Sequence, residues 1–124
     1  MNKTIKVPGP EHPITISPTG RRVVAQVGEH VIADTTSALT MREASYPPVQ
    51  YIPLEDVDRS ILRRSDTKTY CPYKGDASYY SITPSEGELA DAVWTYETPY
   101  PAVADIAGHV AFYTDRVQVS VVKE

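Results

Sequence analysis

The placing of proline constrains this chain more than any other feature. Of eleven prolines in 124 residues, four fall in the first twenty, at Pro8, Pro10, Pro13 and Pro18. Proline disfavours helix interiors and central strands alike, so residues 1–20 read as an extended lead-in with one edge strand at 14–17. From Arg21 the pattern changes to period two. Val23, Ala25 and Val27 alternate with Arg22, Val24 and Gln26, a turn follows at Gly28-Glu29, and residues 30–34 return as the second arm of a β-hairpin. Residues 38–43 form the next strand, with Leu39 and Met41 on one face and Thr40 and Arg42 on the other. Pro47-Pro48 then breaks the chain, and further strands are predicted at 49–52, 78–82, 89–96, 110–113 and 117–122.

One helix is predicted, over residues 54–62. Leu54, Val57, Ile61 and Leu62 follow helical spacing, Glu55 and Asp56 suit the positive N-terminal dipole, and Arg63 and Arg64 suit the negative end. Residues 101–107, closed by Gly108, read as a single helical turn. The expectation is one domain over residues 1–124, with a β-rich body at 21–124: mainly antiparallel β with one short helix.

Composition excludes several classes of function. The net charge is −4, and the longest basic runs are the pairs Arg21-Arg22 and Arg63-Arg64. A nucleic-acid domain carries a basic stripe as its electrostatic footprint, so no nucleic-acid partner is expected. A single cysteine allows no internal disulfide, which suits a reducing compartment. The first thirteen residues hold no apolar core and are interrupted by proline, unlike a signal peptide. No apolar run approaches membrane-spanning length. The expectation is a soluble cytoplasmic chain without a membrane partner. Nine tyrosines against one phenylalanine and one tryptophan suit half-buried positions at pockets and interfaces, and strands favour tyrosine in any case.

Chemistry concentrates in residues 65–80, SDTKTYCPYKGDASYY. Pro72 pushes Cys71 toward an extended conformation, and Gly75 supplies the positive φ of a tight turn. Cys71 is therefore expected where a strand ends and a turn begins. Lys74 follows it, and Arg63, Arg64 and Lys68 precede it. Positive neighbours favour the reactive thiolate, although a cysteine is as readily a small buried hydrophobe. A Cys-His pair needs a base in hydrogen-bond reach; His30 and His109 are the candidates, since His12 lies in the lead-in. No CxxC or HxxxH spacing exists, so no metal is expected. Asp56 and Asp58 are two apart and point in different directions on a helix. No Walker loop or dinucleotide fingerprint is present, and no cofactor is expected. Trp94, Tyr96, Tyr79 and Tyr113 are spaced so that strand-borne rings line one cavity or pack in the core. Arg42, Glu43 and Arg116 are further polar candidates on or beside strands.

Four stretches together, HPITISP, ADTTSALTMREASYPPVQYIPLEDV, SDTKTYCPYKGDASYYSI and WTYETPYPAVADIAGHVAFYTDRV, resemble the bacterial family called domain of unknown function 427. The resemblance runs from about His12 to Val119, and TYCPYKGDASYY is its most specific part. Leu54 departs from the family, which often carries a basic residue there. The resemblance implies a β-tent fold, two antiparallel sheets meeting at an angle over a groove. Relatives of that architecture include zinc-bound ligand sensors and methionine sulfoxide reductase B, whose zinc-binding cysteine pairs are missing here. The family is sometimes labelled nucleotidyltransferase, but this sequence holds no nucleotidyltransferase motif, and fold-level analogy is weak warrant for function.

Three functional expectations follow. In the first, a groove binds a small polar or anionic molecule, with Arg42 and Lys74 supplying charge and Tyr79, Trp94 and Tyr96 the walls. In the second, Cys71 is a nucleophile or redox thiol, Lys74 lowers its pKa and Asp76 or a tyrosine handles protons. In the third, the chain self-associates as a homo-oligomer through strand edges such as residues 117–122.

Overall fold

The alternating stretches fold as strands of two antiparallel sheets. The computed structural model describes residues 4–83 and 87–122. Its strands are β1 (Ile14–Pro18), β2 (Val23–Val27), β3 (His30–Thr35), β4 (Leu39–Glu43), β5 (Val49–Pro53), β6 (Leu62–Cys71), β7 (Gly75–Ile82), β8 (Leu89–Thr95), β9 (His109–Phe112) and β10 (Gln118–Val121). Seven make one sheet in the order β1-β4-β5-β9-β8-β7-β6, and the other three make a small sheet, β10-β2-β3. The protein is mainly β, as its patterning predicts. Strand β1 lies at the edge of the large sheet, where proline costs no ladder bond.

Period two divides the large sheet into two unlike faces. Ile52, Ile82, Val93, Val110 and Phe112 turn toward one face and pack with Val23, Ala25 and Ile32 of the small sheet. Their chain neighbours Tyr51, Trp94 and Ala111 turn to the opposite face, where they join Met41, Ala77, Tyr79 and Tyr96. A 3₁₀ segment at Pro101–Ile106 covers part of this second face with Val103 and Ile106. The short helical turn expected there is present.

The helix expected over residues 54–62 is not. Two separate 3₁₀ turns, Leu54–Asp56 and Arg59–Ile61, stand in its place, and Leu62 already belongs to β6. Between them Val57 is extended and bridges to Ala33, and the Asp58 amide donates to the Ile32 carbonyl at 2.8 Å. A helix this short is marginal on its own, so tertiary pairing with β3 takes over its backbone. The Asp58 side chain then caps the second turn by accepting from the Ser60 amide.

Strands β6 and β8 each carry an irregularity against β7. In β8 it centres on Asp91, whose φ of +52° lies in the left-handed region. The Asp91 carboxylate accepts from the Thr67 hydroxyl at 2.6 Å, and its amide donates to the Ser81 hydroxyl. Hydrogen bonds from Ser65 and Thr67 hold this carboxyl below its ordinary pKa. Side-chain bonds thus replace the ladder where pairing slips.

Candidate functional site

The turn between β6 and β7 follows from its sequence. Cys71 ends β6 and Gly75 opens β7, with Pro72, Tyr73 and Lys74 between them. The Lys74 amide donates to the Cys71 carbonyl, and the Tyr100 amide donates to the Lys74 carbonyl. Gly75 has φ of +109°, a backbone conformation that residues with a side chain rarely adopt, so glycine is the residue that fits. This backbone sends the Lys74 side chain inward. Its ammonium meets the Glu43 carboxylate and faces the Tyr96 ring at 5.8 Å.

Glu43 is the hub. It ends β4 opposite Ile14, and the next residue, Ala44, turns the chain with φ of +48° while its amide donates to the Pro13 carbonyl. One carboxylate oxygen takes Lys74, and the other accepts from Nε2 of His12 at 2.8 Å. The His12 ring is stacked on Tyr73, with centroids 4.0 Å apart and planes 6° from parallel. The side chains of Lys74, Glu43 and His12 are only 11%, 14% and 24% exposed. Partial burial pushes the Glu43 carboxyl up, but the bonds from Lys74 and His12 outweigh it and hold the group below its ordinary range.

Above this ion pair lies a cavity of about 260 Å³. Its walls are aromatic and tipped with hydroxyls: Tyr51, Tyr79, Trp94, Tyr96 and Tyr113, with Tyr46 at the exposed side. The Trp94 indole donates to the Tyr51 hydroxyl at 3.2 Å, and its ring lies 4.6 Å from that of Tyr113. The Tyr79 hydroxyl exchanges a hydrogen bond with Thr69 at 2.9 Å. Burial raises the pKa of Tyr51 and of Tyr96. Burial, reinforced by a hydrogen bond to Tyr79, pushes Tyr113 up to about 12. These phenols remain neutral donors across the physiological range.

The structure brings Lys74, Tyr79, Trp94, Tyr96 and Tyr113 to one cavity. Arg42 is elsewhere: the alternation that turns Met41 and Glu43 inward turns Arg42 to solvent. Asp76 is exposed on β7, beyond the lining residues. Cys71 is half-buried against the aromatic face and likewise does not line the cavity. The cations near it in sequence engage other groups, Arg63 with Glu88, Arg64 with Glu97, Lys68 with Ser78 and Lys74 with Glu43. His30 lies by Asp58 and His109 by the Ala107 carbonyl. Among the described residues no histidine is hydrogen-bonded to Cys71.

His12 is the residue that sequence reasoning passes over. Its signal is indirect. Pairing of β1 with β4 sets Ile14 opposite Glu43, which leaves His12 two residues beyond the paired end. Tyr51 has a plainer signal, since it alternates with the buried Ile52 in a strand.

The family model described as domain of unknown function DUF427 matches residues 15–123. No curated protein matches the chain.

Proposed function

The chain belongs to the DUF427 family, and we propose that it binds a small polar or anionic molecule in the aromatic cavity beside Lys74. The observation that carries this reading is a nearly buried ion pair placed at an open cavity rather than in packed core. A buried ion pair is weak evidence for stability, because desolvation offsets much of the attraction. At a cavity, the same pair supplies a fixed ammonium beside a carboxylate that also lines the space. Lys74 has three donors, and Glu43 occupies one of them. A ligand acceptor can take another, while His12 keeps Glu43 partnered.

The walls suit this role. Aromatic rings provide apolar contact for a planar group, and the neutral hydroxyls and the indole supply directed hydrogen bonds. The volume lies just below the range of drug-sized pockets, which points to a ligand of one ring or a comparable chain. In this reading Cys71 packs behind the wall and takes no chemical role.

A thermal-shift panel of small carboxylates, phosphates and neutral amides tests the proposal. One class is expected to raise the melting temperature in proportion to the logarithm of concentration, as mass action requires. Lys74→Met is expected to remove that shift. A shift that survives both Lys74→Met and Tyr96→Leu would move binding away from this cavity.

A further inference from the structure

A second cavity, of about 480 Å³, adjoins the first. The two share Tyr46, Pro47, Val49, Trp94 and Tyr113 in their linings, so these side chains form the boundary between them. The remaining walls differ in kind. Phe112 at the end of β9 and Val119 and Val121 on β10 stand where the first cavity has Glu43, Lys74 and buried phenols. The lining of this second cavity therefore comes from both sheets.

Exposed apolar side chains gather at the same place. Six large hydrophobics are exposed among the described residues, and three of them, Tyr46, Tyr113 and Val121, line this cavity. Scattered exposed apolar residues are ordinary, whereas a cluster around a concavity marks a binding surface. Two occupants are conceivable: a second copy of the chain adding to the open edge of β10, or the apolar part of a small molecule. The shared wall favours the small molecule. Tyr46 and Tyr113 are exposed and line both cavities, so the two open at one surface and a single ligand lying across these rings can reach both, whereas a strand added to β10 would reach only the second.

Resting on the reading of the first cavity, we infer that the ligand is amphipathic. Its anionic or hydrogen-bond-accepting head lies at Lys74, and its apolar extension lies against Phe112, Val119 and Val121. The arrangement divides the work of recognition. The polar cavity fixes the head group, and the apolar cavity selects for length.

Calorimetric titration with benzoate, phenylpropionate and phenylvalerate holds the carboxylate constant while the apolar part lengthens. Affinity is expected to rise about three- to fourfold for each methylene added. Val121→Glu, at an exposed edge position, is expected to leave benzoate binding unchanged and to remove most of the gain with length. Its melting temperature checks that the fold is intact. Benzoate binding with no dependence on length overturns the amphipathic ligand and leaves the polar cavity standing; a Val121→Glu variant that weakens all three probes equally overturns the division of head and tail between the two cavities. Failure of every probe overturns an amphipathic carboxylate and, with it, this inference, while the first reading falls only if the phosphates and amides of the thermal-shift panel fail too. Concentration-dependent dimerisation abolished by Val121→Glu, with affinity flat in length, assigns the surface to a second copy and also overturns the inference.

Discussion

The two faces of the seven-stranded sheet come from the same strands and do opposite things. Ile52, Val93 and Val110 are fully buried against the small sheet, where aliphatic side chains interdigitate. Their immediate neighbours Tyr51, Trp94 and Ala111 face the other way, toward an ion pair and an open cavity. Close packing is the ordinary outcome of burying apolar surface. The aromatic face departs from it by leaving space, and it leaves that space beside a cation. The difference between the faces is thus chemical as well as geometric: one is largely aliphatic core, and the other combines packed core at Val103, Ile106 and Ala111 with an aromatic cavity beside an ion pair.

The largest expected effect tests the packed face. Ile52→Ala should destabilise the protein by about 2–5 kcal/mol in denaturant unfolding, because the site has no solvent-facing side through which to relax. A loss below about 1 kcal/mol would mean that this face is as loosely filled as the other. On the aromatic face, Lys74→Met should cost about 1–3 kcal/mol, less than breaking a fully buried pair, since Glu43 keeps His12. A cost equal to that of Ile52→Ala would make the ion pair a structural element first.

Acid sharpens the same contrast. The folded state holds Glu43 below its ordinary value of 4.5, so its contribution is present above that pH and disappears as the pH falls through the depressed value. The stability gap between wild type and Glu43→Gln should therefore be widest near neutrality and close progressively below about pH 4.5, as unfolding midpoints across that range would show. The gap between wild type and Ile52→Ala should change little over the same range. The smallest effect belongs to Arg42→Ala, expected within about 0.5 kcal/mol and without effect on ligand shifts, because Arg42 points to solvent between two inward residues. An effect on binding comparable to that of Lys74→Met would put a cation on the wrong face of β4.

Strands were legible because period two is a local property. The hairpin of β2 and β3 and the shared face of Trp94 and Tyr96 follow from alternation within single segments, whereas the meeting of these rings with Tyr79 and Tyr113 at one cavity comes from strand pairing. The stretch at residues 54–62 misleads because helical spacing of Leu54, Val57 and Ile61 is also satisfied by two 3₁₀ turns, and the deciding hydrogen bond runs from the Asp58 amide to the Ile32 carbonyl on β3. The polar centre was legible only in part. Lys74 is marked by its turn, but Glu43 reaches both His12 and Lys74 across 31 positions in the chain. No local pattern encodes those two contacts; they follow from the pairing of β1 with β4 and from the fold of the β6–β7 turn. His12 accordingly reads as part of a proline-rich lead-in until that pairing is known.

The central claim is that the aromatic face is kept open to receive a ligand at Lys74. Trp94 is the chain's single tryptophan and lies in that cavity, so its emission reports directly on occupancy. Titration with the best member of the thermal-shift panel should change Trp94 emission saturably in the wild type and leave it unchanged in Lys74→Met. Emission that stays flat in the wild type while the same compound still raises the melting temperature would place the ligand elsewhere and contradict the account.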